Sequence, residues 1–213
     1  MDMSKVFSEY IEGEENYKIA YDIVRQNSKG NVWLIGGGLS RNLNELIYGT
    51  VQHSFDFDFV VEESVDDINL PEGWSMRKNK SGYFRFVKGD LEIDYIPLKD
   101  AGFIVRNNLK PTVENLLIGT PFTIQALAYD CETKKIIGDV GIDALKKKFF
   151  EINNLDEAKI LAKRKDVELN DLILKKAESM GFKGVICDEE FITSENTLGK
   201  DWKNKMDKRW NNL

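Results

Sequence analysis

The stretch Ser54 to Glu62, SFDFDFVVE, constrains the fold more than any other part of this 213-residue chain. Apolar and acidic residues alternate strictly along it: Phe55, Phe57 and Phe59 fall on one side of an extended backbone, Asp56 and Asp58 on the other. That period of two is the signature of a half-buried strand, and Val60 and Val61 behind it predict that the strand is anchored in a core. The two aspartates then stand side by side on the opposite face. Like charges so placed repel, and a cation between them relieves the repulsion. A solvated surface is the plainer reading of an Asp-x-Asp pair. The functional reading is a rigid carboxylate platform for the divalent ions that, in phosphoryl transfer, clamp the attacking and leaving oxygens.

From Lys5 to Gln26 apolar residues recur at helical spacing (Val6, Phe7, Tyr10, Ile19, Ala20, Ile23, Val24) around Gly13, which predicts one or two amphipathic helices ending at Ser28-Lys29-Gly30. Asn31 to Ile35 is a short β-rich run, a glycine triplet follows, and Leu39 to Ile47 returns to helical periodicity. Beyond the acidic linker at Asp66-Asp67, the runs Trp74 to Arg77, Tyr83 to Val87 and Leu91 to Ile96 are separated by turn signals at Ser81-Gly82 and Gly89-Asp90, predicting an antiparallel meander. Pro111 to Gly119 reads as helix, and Asp156 to Met180 carries apolar residues at three-and-four spacing. The expected fold class is α+β. A mixed or antiparallel sheet flanked by helices occupies a head over residues 1–150, and a short helical neck and C-terminal extension occupies 151–213.

Gly36-Gly37-Gly38-Leu39-Ser40-Arg41 lies where strand passes into helix. Glycines let backbone approach a ligand closely, and the amides of a helix N-terminus suit a phosphate; a structural tight turn is the alternative. The third glycine of a dinucleotide fingerprint would fall on Arg41, and no Gly-Lys-Ser/Thr follows, so neither that motif nor a P-loop is present. A second acidic pair, Glu92-x-Asp94, faces away from Leu91, Ile93 and Tyr95, so a neighbouring strand can bring one of its carboxylates beside Asp56 and Asp58. His53 is the lone histidine, and Cys131 and Cys187 have no metal-ligand spacing. Zinc is thereby disfavoured, and a metal held by carboxylates alone is Mg²⁺ or Mn²⁺.

Taken in order, Gly37-Gly38-x-x-Arg41, then Leu43, Leu46 and Gly49, then Asp56-x-Asp58, Ile93 to Leu98 (IDYIPL), Phe122 to Tyr129 (FTIQALAY), Ile136-Ile137-Gly138-Asp139 and Gly141-Ile142-Asp143 resemble the head of class II tRNA CCA-adding enzymes and bacterial poly(A) polymerases, of the DNA polymerase β nucleotidyltransferase superfamily. The resemblance runs from Val32 to Lys165. It implies a metal-dependent nucleotidyltransferase that moves a nucleoside monophosphate from an NTP to an acceptor hydroxyl, an RNA 3′ end in that family, and releases pyrophosphate. Asp56 and Asp58 would bind the metals and Asp94 would be the third carboxylate, helping to deprotonate the acceptor. Gly37, Gly38 and Arg41 would meet the triphosphate, Ser40 would add a hydroxyl, and Gln125 and Lys159 would contact the rest of the nucleotide.

The chain also departs from the family pattern. Asn42 stands where an aspartate is usual, and Thr120-Pro121 with Gln125 replaces the Arg-Asp and Asn of the segment linked to telling ribose from deoxyribose. Lys159 replaces an arginine that reads the base, offering a point charge in place of a planar fork. The sequence has little room after the neck for the helical body that holds tRNA in the family, so a partner chain supplying it, a protein or small-molecule acceptor, and a nucleotide-holding regulatory module remain open.

The net charge of −6 is concentrated before Asp143, whereas Ala144 to Leu213 is slightly basic. Lys146-Lys147-Lys148 and Lys163-Arg164-Lys165 line a nucleic-acid path or are solvated helix faces. Trp202 to Trp210, interleaved with lysines, reads as a single-strand binder or as a packed helix. No apolar run is long enough to cross a bilayer and the N-terminus is acidic, so a cytoplasmic protein without membrane partners is expected.

Overall fold

Alternation becomes strand in the computed structural model, which describes residues 2–49 and 56–186. The aspartate run forms β2 (Asp56–Ser64), antiparallel to β1 (Ser28–Ile35) on one side. On its other side lies β5 (Leu91–Pro97), the last strand of the meander, preceded by β3 (Ser75–Lys78) and β4 (Phe84–Lys88). With β6 (Ala128–Asp130) and β7 (Lys135–Ile137) these make a seven-stranded sheet in the order β3-β4-β5-β2-β1-β6-β7. Every pairing in it is antiparallel except β2 with β5, whose parallel register sets Asp56 opposite Glu92 and Asp58 opposite Asp94.

The N-terminal periodicity resolves into two helices, α1 (Met3–Ile11) and α2 (Glu15–Gln26), parted at Gly13. Asp2 caps the first by accepting from the Ser4 amide at 3.0 Å. Ser28, Lys29 and Gly30 end the helix and also open β1, whose register to β2 shifts between Lys29 and Val32. The glycine triplet starts α3 (Gly36–Tyr48), and after β5 come α4 (Gly102–Arg106), α5 (Val113–Ile118) and, past β7, α6 (Asp139–Lys147).

The long helical stretch expected over Asp156 to Met180 is two helices, α7 (Leu155–Lys165) and α8 (Leu169–Met180), because Asp166 takes a left-handed backbone (φ 54°) between them. A two-stranded pair, β8 (Phe149–Phe150) with β9 (Lys183–Gly184), ties the end of the head to the end of α8. Strands of two residues are too short for alternation to reveal. Phe55, His53, Cys187 and the Trp202 to Trp210 stretch lie outside the described residues. Among the described residues no helix is long and apolar enough to cross a membrane.

The sheet is covered on both faces. Phe57, Phe59, Val61, Phe86, Ile93 and Tyr95 point into the larger core against Phe7, Tyr17, Ile23, Leu39 and Leu43. Phe59 is fully buried there, its ring centroid 6.1 Å from that of Tyr17. Phe59→Ala is expected to destabilise the chain by about 3–5 kcal/mol, read as a lowered urea midpoint with an unchanged slope.

The opposite face packs Trp33, Val60 and Ala128 against Ile104, Val113 and Leu117 from α4 and α5. That second cover ends before the start of β2 does. Along one face of the strand Val60 is fully buried, Asp58 partly, and Asp56 is exposed. The fold therefore brings the aspartate pair to the open end of a packed layer.

Candidate active site

Register carries a row of charge across four strands. Asp58 on β2 is opposite Asp94 on β5, Asp94 opposite Arg85 on β4, and Arg85 opposite Arg77 on β3. Partners in register share a face of the sheet, so all four side chains stand on the side that bears Asp56. Arg85 grips Asp94 with a two-pronged fork: its Nε donates to Oδ1 at 2.5 Å and its Nη2 to Oδ2 at 2.8 Å. Its third nitrogen, Nη1, donates to Glu92 Oε2, and Arg77 Nη2 donates to Glu92 Oε1 at 2.6 Å. Bidentate charged pairs of this geometry are the stronger class of hydrogen bond. Sequence reasoning did not single out Arg85. Its signal is the position between Phe84 and Phe86, the same alternation that marks Asp56 and Asp58.

The electrostatics converge on Asp58. Burial, and then the nearby charges of Asp94 and Asp56, push its carboxyl up to about 7, with Arg41 and Arg85 opposing. The Arg85 guanidinium is held still more firmly protonated, first by its hydrogen bonds to Asp94. A carboxyl so raised is one whose ionised form lacks sufficient positive charge around it. Divalent cations fit this need, and the donors at hand are the oxygen ligands that Mg²⁺ and Mn²⁺ prefer. Among the described residues no three acidic, histidine or cysteine side chains are already drawn together as a finished metal cage. Asp94 is beside Asp58 in register, yet both its oxygens are turned onto Arg85.

The glycine bend closes the other side of this row. Gly36 has φ +73°, and a Cβ added there would strike the Asp58 carboxylate. A Cβ at Gly38 would sit 2.8 Å from the Asp56 carbonyl, and one at Gly37 would sit 2.8 Å from Nη1 of Arg41. The triplet therefore lets α3 start directly against β2, with Arg41 folded back over its first turn. The residue before α3 is Ile35, which has no side-chain acceptor to cap the helix. On α8, burial lowers the ammonium pKa of Lys176, and the charges of Lys165 and Arg41 lower it further.

The remaining candidates are placed as follows. Ser40 is buried and donates its hydroxyl to the Gly36 carbonyl at 3.1 Å, within its own helix. Gln125 ends a short 3₁₀ turn (Thr123–Gln125) and its Oε1 is sheltered, with no hydrogen-bond partner among the described residues. The segment leading to it is fastened by Asn153, whose Nδ2 donates to the carbonyls of Leu117 at 3.0 Å and Thr120 at 3.1 Å. Lys159 is exposed on α7, and its neighbour Glu157 is occupied by Arg106 of α4 at 2.6 Å.

A pH dependence follows from the raised Asp58 carboxyl. Its folded-state pKa lies above the unfolded value, so the folded chain retains this proton more tightly, and the stability it contributes is present below about pH 4 and lost as pH rises through about 7. In metal-free buffer the stability of the wild type is expected to fall relative to Asp58→Asn across that window, by about 3 kcal/mol. Urea midpoints of the two proteins measured at pH 4.5 and 8 check this; parallel pH profiles would contradict it.

No protein-family model matches the chain, and no curated protein matches it. Solved structures do. A CCA-adding enzyme in complex with CTP is 20% identical, covers 82% of this chain and 46% of its own, and superposes with a TM-score of 0.51. A tRNA-processing enzyme complex is 21% identical over 77% of this chain and 46% of its own, with a TM-score of 0.44. The Thermotoga maritima CCA-adding enzyme complexed with tRNA is 19% identical over 69% of this chain and 38% of its own, with a TM-score of 0.41. The chain thus matches less than half the length of each of these structures. The likeness to the first establishes the architecture: this chain shares its fold with part of that CCA-adding enzyme.

Proposed function

We propose that the chain is a metal-dependent nucleotidyltransferase that transfers a nucleoside monophosphate from an NTP to an acceptor hydroxyl, an RNA 3′ end, with release of pyrophosphate. The observation that carries this reading is the apposition of Asp56 and Asp58 to the glycine bend, with Asp94 in register beside them. The ordered motifs between Val32 and Lys165 support the same chemistry, as does the fold.

In this reading the acceptor oxygen attacks the α-phosphorus, the bond to the bridging oxygen breaks, and pyrophosphate departs with the negative charge. Asp56 and Asp58 would hold Mg²⁺ or Mn²⁺, which would supply positive charge to the attacking and leaving oxygens. The amides of Gly36, Gly37 and Gly38 at the start of α3, with Arg41, hold the triphosphate. Asp94, the third carboxylate, takes the acceptor's proton and would help to hold the metal. Gln125 and Lys159 meet the sugar and base.

Incubation of the purified chain with each α-labelled NTP, Mg²⁺ or Mn²⁺ and total RNA tests the reading. Label is expected on RNA and is expected to vanish in Asp56→Ala. Label on protein or on a small molecule would reassign the acceptor. Absence of transfer with every NTP, or transfer that persists in Asp56→Ala, would overturn the proposal.

A further inference from the structure

Arg85 has no task in the reaction so described, yet it holds the third carboxylate by both oxygens. A guanidinium stays charged at any working pH, so it cannot release Asp94 by losing a proton. The pair is also withdrawn from water: the Asp94 side chain is 10% exposed and that of Arg85 27%, so the attraction is screened less than in a surface ion pair. A divalent ion on Asp94 needs at least one of the oxygens that the fork occupies. Fork and ion therefore compete for the same carboxylate charge, and an ion seated on the lone pairs the fork leaves is held weakly.

Geometry supplies both ends of a displacement. Asp94 stands in register between Arg85 on β4 and Asp58 on β2, so its carboxylate has a cation on one side and the aspartate platform on the other. Glu92 gives Arg85 somewhere to remain. It already accepts from Nη1 of Arg85 and shares its other oxygen with Arg77, so Arg85 keeps a carboxylate partner when Asp94 leaves.

We propose that Arg85 is a displaceable counter-ion that positions Asp94, so that the nucleotide-free chain takes one divalent ion on Asp56 and Asp58 and a second ion enters only when the nucleotide, arriving with its own ion, draws Asp94 out of the fork. This rests on reading the site as a nucleotidyltransferase metal centre. Arg85 is a positioning residue: it acts on metal occupancy through Asp94 and does not touch the reacting atoms. Metal loading is thereby ordered, and the second position stays empty until there is a triphosphate to bridge.

Mn²⁺ binding to the full chain, counted by electron paramagnetic resonance with and without a non-hydrolysable NTP analogue, tests the proposal. The wild type is expected to bind one Mn²⁺ tightly alone and two with the analogue. Arg85→Gln is expected to bind the second ion at least tenfold more tightly without the analogue, and Arg85→Lys, which keeps the charge but loses the fork, a few-fold more tightly. The gain should disappear in the Arg85→Gln/Asp94→Asn double variant.

A second ion bound no more tightly in Arg85→Gln than in the wild type overturns the proposal. So does a gain that survives removal of the Asp94 charge. Should Arg85→Gln not fold, Arg85→Lys decides alone, and wild-type second-ion affinity in it overturns the proposal equally. These outcomes are distinct from failure of the metal-centre reading, in which Asp58→Asn would bind the first Mn²⁺ as tightly as the wild type does.

Discussion

Asp58→Asn is expected to reduce nucleotide transfer by about a thousandfold or more while leaving the metal-free chain at least as stable as the wild type. Loss of function on that scale is what removal of one fixed charge-stabilising group from a reacting centre produces. The stability result is the less ordinary half. Asp58 is sheltered, flanked by two further carboxylates, and protonates far more readily than an ordinary aspartate. An isosteric amide removes that repulsion and keeps the volume. Added Mg²⁺ or Mn²⁺ should raise the melting temperature of the wild type and leave the variant's unchanged. Single-turnover transfer assays and melts in chelator check both halves; a strongly destabilised variant would show that Asp58 is held for structure.

Gly36→Ala is expected to cost about 2–3 kcal/mol of stability and about a hundredfold in transfer. Two effects combine at this position. Gly36 has a left-handed backbone (φ +73°), and a methyl group there would be driven into the Asp58 carboxylate. Gly49, at the C-terminal cap of α3, separates the two. Its φ is +68° but an added Cβ meets nothing within 4 Å among the described residues, so Gly49→Ala is expected to bear the conformational cost alone, about 1 kcal/mol. Transfer by Gly49→Ala should match the wild type. Equal losses of transfer in the two variants would refute the placement of Gly36 against the metal ligands.

Much of this site was legible in the sequence because its parts are local. A strict period of two from Phe57 to Phe59 admits a single half-buried strand, and a glycine triplet between a β-rich run and a helical run marks a turn with exposed amides. What joins them is not local. Nothing in the order of residues states that the meander returns so that its last strand, β5, and not its first, lies beside β2, nor that the pairing is parallel and in register at Asp58 and Asp94. Arg85 was missed for the same reason: its importance depends on which strand β4 adjoins. Ser40 illustrates the converse limit. Its hydroxyl looks available to a phosphate in the motif, but in the folded helix it donates to the Gly36 carbonyl one turn earlier. The break between α7 and α8 was hidden because Asp166 interrupts the backbone without interrupting the apolar spacing.

The most direct test is a crystal structure of the chain with Mn²⁺ and a non-hydrolysable NTP, with the metal located by its anomalous scattering. The expected result is manganese bonded to the carboxylates of Asp56 and Asp58, with the triphosphate laid across the first turn of α3 at Gly36 to Gly38. Manganese absent from that aspartate pair, or a triphosphate bound away from the glycine bend, would contradict the assignment.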